Sequence, residues 1–223
     1  MLDYRHCTLC PRACGVDRTA GERGFCQMPD HILAARAALH YWEEPVISGS
    51  FGSGAVFFSG CTLGCVFCQN RKISREGFGM EVSPERLSEI LTQLEQSGVH
   101  NLNLVTPTHF TPQILQALSL AKPGIPVVMN CGGYERVETL RLWEGSIDIY
   151  LPDLKYFSPA LSQKYSGAAD YFEAASRAIL EMHRQQPRLV YSGGLLSRGL
   201  IVRHLVLPGC MRDSLRLMDW LHD

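Results

Sequence analysis

From Ala55 onward, short runs rich in Val, Ile, Leu or Phe alternate with longer helical stretches, and few folds accept that alternation. The apolar runs predict strands at 55–59, 101–106, 126–130, 147–151 and 200–207. Between the first two, SPERLSEILTQLEQSG reads as a helix. Ser83 can cap it, Pro84 suits its first turn, Leu87, Ile90, Leu91 and Leu94 share one face, and Gly98 stops it. Further helices are expected at 112–121, 135–143, 171–185 and 213–221. Repeated strand and helix call for parallel strands joined by right-handed crossovers, as in an α/β barrel or an open doubly wound sheet. Both gather ligands beyond the carboxyl ends of the strands, so the residues that follow each strand matter most.

Composition narrows the function. The chain has 223 residues, enough for one sizeable core and a small appendage. With 46% hydrophobic and 19% charged residues it is an ordinary folding composition. A net charge of -1 supplies no field for nucleic acid or anionic lipid, so neither is expected as a partner. No apolar run approaches the roughly 18 residues of a membrane span, and MLDYRHCTLC has no signal-peptide core. A cytoplasmic location is expected.

The cysteines divide the chain. Four of nine, Cys7, Cys10, Cys14 and Cys26, lie in an Arg- and Gly-rich opening stretch too poor in aliphatic residues to build its own core. This defines a Cys-rich extension at 1–30. A connecting segment follows at 31–54, containing the Ala-rich HILAARAALH at 31–40, whose secondary structure the pattern leaves open, and the loop-like SGSFGSG at 48–54. In a reducing compartment four such thiolates suit a closed tetrahedral zinc or an iron-sulfur cluster, and spacing does not choose between them.

Cys61, Cys65 and Cys68 follow the first strand of the alternating region in GCTLGCVFCQN, with Gly60 and Gly64 to turn the chain tightly. Three thiolates within eight residues can wrap a four-iron, four-sulfur (4Fe-4S) cluster and leave one iron open to an outside ligand. A zinc site lacking its fourth ligand, or buried thiols without metal, are the alternatives.

This loop, with Phe67 before its third cysteine, resembles the signature of the radical S-adenosylmethionine (SAM) superfamily. CTLCPRACGVDR, NLVTPTHF, DIYLPDLKY and IVRHLVLPG extend the resemblance over residues 1–223 to the pyruvate formate-lyase activating enzyme-like subgroup. The resemblance implies a partial (β/α)6 barrel at 55–223. Cys61, Cys65 and Cys68 would hold the 4Fe-4S cluster and serve catalysis. SAM would bind the open iron and be cleaved to methionine and a 5'-deoxyadenosyl radical that abstracts hydrogen from a protein or peptide substrate. Flavodoxin or ferredoxin would donate the electron.

Other strand ends supply cofactor-binding candidates. Thr106 lies in the loop where relatives carry glycines, a form from which this chain departs; Thr108 and His109 follow it. Asn130 ends the third strand of the alternating region beside Cys131. Asp153 and Lys155, two residues apart, can share one side of an extended segment. Arg203 and His204 must face opposite ways, and the resemblance turns His204 to the cofactor and Arg203 to a carboxylate or helix behind. Trp42, Glu43 and Glu44 receive no chemistry. Five barrel strands are visible where relatives have six, so the chain reads as a barrel lacking its last strand through C-terminal truncation, unless 31–40 fills the gap.

Overall fold

In the computed structural model, which describes residues 4–223, the alternation becomes one mixed sheet of eight strands. The first three residues of the expected 1–30 extension lie outside the described part. In chain order the elements are β1 (Ile32–His40), α1 (Pro45–Ser48), β2 (Ser53–Phe58), α2 (Arg71–Arg75), β3 (Met80–Val82) and α3 (Pro84–Gln96). They continue with β4 (Asn101–Val105), α4 (Thr111–Ala121), β5 (Val127–Cys131), α5 (Val137–Leu142) and β6 (Ile149–Pro152). The chain then forms α6 (Pro159–Ser166), α7 (Tyr171–Gln185), β7 (Val190–Ser192), β8 (Leu195–Leu200) and α8 (Met211–His222).

The sheet order is β3-β1-β2-β4-β5-β6-β8-β7, so it does not close. Strands β2, β4, β5, β6 and β8 are parallel neighbours, and β1, β3 and β7 join antiparallel at the flanks. This is the mixed α/β form of a partial barrel. Strands β4, β5 and β6 are almost wholly buried, which is why they read as near-continuous apolar runs. The helices cover them as their caps dictate: the Ser83 hydroxyl accepts the Arg86 N–H at 3.1 Å, and Leu87, Leu91 and Leu94 of α3 are buried. Trp143 is fully buried and donates its indole N–H to the Thr111 hydroxyl at 3.1 Å, joining the segment after α5 to the start of α4.

Three expectations change. The segment 31–40 is a strand, but it pairs with β2 at the opposite flank and leaves the place beside the last parallel strand to β7. The strand expected at 200–207 begins earlier, at Leu195, because the turn at Gly193 and Gly194 pairs β7 with β8. Its ladder to β6 then runs on only as far as Arg203, whose N–H donates to Pro152 O at 2.9 Å; Leu205 and Val206 are exposed and outside any strand. Among the described residues no helix is long and apolar enough to cross a membrane.

The Cys-rich stretch is held by the body of the protein. Leu9 is buried, and its carbonyl accepts the Thr139 hydroxyl at 2.8 Å. Arg18, also buried, lies 4.1 Å from the Tyr4 ring and donates to the carbonyls of Pro29 and His109.

Candidate active site

A cleft of about 700 Å³ opens at the carboxyl ends of the parallel strands, and Cys61, Cys65 and Cys68 all line it. The loop that carries them leaves β2 through Gly60 and turns again at Gly64, both with positive φ. A Cβ at Gly60 would stand 2.3 Å from Met28 Cγ, so no larger residue fits there without displacing Met28. The sulfurs are supplied with donors. The Leu63 N–H reaches Cys61 Sγ at 3.4 Å, the Ser74 hydroxyl reaches Cys68 Sγ at 3.3 Å, and the Ser166 hydroxyl reaches Cys65 Sγ at 3.0 Å. Burial holds the Cys61 thiol above its ordinary pKa, so binding a metal there must release a proton.

A second part of the cleft lining is polar and comes from four separate parts of the chain. Asn130 is the last but one residue of β5, Asp153 follows β6, Arg203 ends the last ladder, and Glu43 enters from the connection between β1 and α1. Glu43 is the surprise. One carboxylate oxygen accepts from Asn103 Nδ2 and Asn130 Nδ2, both at 2.9 Å, while the other is 2.6 Å from an Arg203 terminal nitrogen. Arg203 also donates to Asn130 Oδ1 at 2.6 Å, and its Nε lies 3.0 Å from Asp153 Oδ1. Lys155 Nζ closes the chain on Asp153 Oδ2 at 2.6 Å. Burial works against the Lys155 charge, but Asp153 and the nearby thiols outweigh it and leave its pKa raised. Two cations thus alternate with two carboxylates along the lining of the cleft that also holds the thiols.

Thr106 lines the same cleft in a left-handed conformation (φ 58°), a costly backbone state for a β-branched residue, with its N–H on Asn130 O at 2.8 Å. His204 touches the cleft, yet both ring nitrogens are engaged. Nδ1 donates to Leu154 O at 2.6 Å and Nε2 meets the Ser214 hydroxyl at 2.8 Å. Arg203 pairs with carboxylates, but does so on the cleft itself, while His204, at the same cleft, ties the strand end to α8. His109, which follows Thr106 and Thr108 in the same segment, is buried, with Nε2 on Ser59 O at 2.6 Å and a pKa pushed by burial down to about 3, so it stays neutral. Cys131 also lines the cleft, while Cys210 stands at the start of α8.

Next to Thr108 lies a carboxyl that the motifs did not single out. Glu135 is buried, accepts the Thr108 hydroxyl at 2.6 Å, and is raised by burial to about 7. Below its ordinary value of 4.5 it is protonated folded and unfolded. Between pH 4.5 and about 7 the unfolded chain ionises it first, so stability falls with rising pH and then levels off. Glu135→Gln should abolish this component, gaining about 3 kcal/mol on wild type between pH 4.5 and pH 8. Urea unfolding of both proteins across that range measures it; parallel curves would contradict it.

All nine cysteines are free, and among the described residues no three His, Cys, Asp or Glu side chains converge closely enough for a single metal ion. The second site expected at Cys7, Cys10, Cys14 and Cys26, zinc or iron-sulfur, is therefore not shown: no ligand set for a single metal ion is assembled there. The loop thiols suit a wider body: three sulfurs on one cleft wall, with N–H and O–H donors of the kind that tune cluster sulfurs, fit a 4Fe-4S cluster.

Comparison with known proteins agrees with this geometry. The profile of the radical SAM superfamily matches residues 55–205, a stretch that carries the thiol loop and all of the polar wall except Glu43. An uncharacterised protein of Methanocaldococcus jannaschii, MJ0674, is 31% identical over 214 residues, covering 92% of this chain and 58% of the relative. Among solved structures, methylornithine synthase (PylB) superposes with a TM-score of 0.51 at 17% identity, over 75% of this chain and 50% of that one. The chain thus spans little more than half the length of the proteins it matches.

Proposed function

Because the chain belongs to the radical SAM superfamily, we propose that it is an enzyme whose Cys61, Cys65 and Cys68 hold a 4Fe-4S cluster and whose cleft binds SAM for radical hydrogen abstraction. One observation carries the reading: three thiols with hydrogen-bond donors and an alternating row of cations and carboxylates line a single cleft. When bound, the cluster and SAM supply the one-electron cleavage of a sulfonium carbon–sulfur bond, the hard chemistry that no side chain offers.

The protein's own residues bind, orient and exclude water. Lys155 and Arg203 can meet a carboxylate, and Asp153 and Glu43 an ammonium, so the wall suits a zwitterion. Leu63 and Phe57 supply apolar lining, and the Thr106 backbone carries polar groups to the rim. The subgroup resemblance favours a protein or peptide substrate, a glycyl-radical enzyme among them, with flavodoxin or ferredoxin as electron donor. Free thiols at every cysteine suit the reducing cytoplasm.

Anaerobically reconstituted protein supplied with SAM and dithionite is expected to release 5'-deoxyadenosine and methionine in equal amounts. Release of neither from protein that carries its full iron and sulfide would refute the proposed activity.

A further inference from the structure

The Cys-rich extension lies against the loop that carries Cys61, Cys65 and Cys68: Met28 packs on Gly60 where the loop begins, and between the first two cysteines the hydrogen bonds come from one side chain. Arg12, between Cys10 and Cys14, donates from Nε to Thr62 O at 2.9 Å and from one terminal nitrogen to Leu63 O at 3.4 Å. Thr62 and Leu63 stand inside the loop, between its first and second cysteines. The same terminal nitrogen reaches Ser166 O at 2.8 Å, and the other reaches Gly167 O. These two residues end α6, and the Ser166 hydroxyl is the group that meets Cys65 Sγ. One guanidinium therefore satisfies four carbonyls on two segments that both support the loop sulfurs.

Its own position is fixed from the extension. The Phe25 ring lies 3.6 Å from the guanidinium carbon, and the Tyr134 ring lies 5.3 Å away. Phe25 adjoins Cys26, and its N–H donates to Cys14 Sγ at 3.3 Å. The loop gains a second tie to α6 where the Val66 N–H donates to Tyr165 O at 2.9 Å. A planar, permanently charged fork offers five N–H donors in fixed directions and can serve four carbonyls at once, whereas an ammonium has three donors on a flexible stem.

We infer that Arg12 is a positioning residue, a staple by which the extension locks the loop against the end of α6 and presents its three sulfurs as a preformed set. The inference rests on the proposed cluster at that loop. It gives the extension a part in the site without requiring a metal of its own.

The test is retention of the cluster. Wild type, Arg12→Ala, Arg12→Lys and Arg136→Ala are reconstituted anaerobically, and loss of visible absorbance is timed after adding an iron chelator. Arg136 is the control, because it donates to Thr8 O at 2.9 Å and so anchors the extension without touching the loop. Removing a supporting contact of this kind shifts metal retention by roughly 10-fold to 100-fold. Arg12→Ala is expected to lose its cluster faster by that factor, Arg12→Lys by an intermediate one and Arg136→Ala at the wild-type rate. Circular dichroism of the cluster-free proteins should be the same for all four.

Equal rates for Arg12→Ala, or for Arg12→Lys should the alanine variant not fold, would overturn the staple. So would an Arg136→Ala protein that loses its cluster as fast as Arg12→Ala. Wild type that takes up no iron and sulfide at all would instead bring down the proposed function, and this inference with it.

Discussion

Cys65→Ala protein should fold, lose its cluster and release no 5'-deoxyadenosine. Of the three loop thiols, Cys65 sits nearest the junction with α6, where the Ser166 hydroxyl meets its sulfur at 3.0 Å and the Tyr156 hydroxyl meets Ser166 Oγ at 2.8 Å. Losing one of three thiolates removes on the order of 4 kcal/mol of binding, roughly a thousandfold in retention, taking about a third of a typical metal-site free energy. Folding should survive, because the core beneath the loop is built from β2, β4, β5 and β6 and does not depend on the thiol. Iron and sulfide analysis of the reconstituted variant, with circular dichroism as the control for folding, gives the answer. A variant that keeps its full cluster and activity would show that the ligand set lies elsewhere.

Glu43→Ala should be the most damaging single change on the polar wall. Its carboxylate is a tenth exposed and serves Asn103, Asn130 and Arg203 together. Without it two amide groups lose their acceptor, and Arg203, a quarter exposed, keeps Asp153 at 3.0 Å and the more exposed Glu44 at 4.0 Å. Removing one partner of a buried pair costs about 3–5 kcal/mol, and water reaching Arg203 lowers that to about 2–3 kcal/mol here. Thermal unfolding should report the loss, and SAM affinity should fall at least about tenfold as the released guanidinium and amides reorient. The Glu43→Ala, Arg203→Ala double variant should cost less than the sum of its parts, since the second change removes the stranded charge. Additive losses would mean that the two residues act independently, contrary to the geometry.

Glu43 also shows where sequence patterns run out. Its partners lie 60, 87 and 160 residues away along the chain, so no local spacing marks it, whereas the three thiols fall within one loop. The parallel strands were legible because burial on both faces makes their sequences nearly continuous apolar runs. The segment 31–40 was not, since its alanines favour helix and only pairing with β2 and β3 makes it extended. Helix α6 escaped for a related reason: its buried positions are the serines Ser162 and Ser166, which leave no apolar stripe to read. Alternation alone did not place Arg203 and His204: both line the cleft, and the histidine ring is taken by Ser214 of α8.

The most direct measurement is electron paramagnetic resonance of the dithionite-reduced, anaerobically reconstituted protein, read with its iron and sulfide content and repeated after adding SAM. About four iron and four sulfide per chain, and a reduced-cluster signal that changes when SAM arrives, are the results expected from three thiols and one open iron. A single bound metal without sulfide, or a cluster signal that SAM leaves unaltered, would contradict that account.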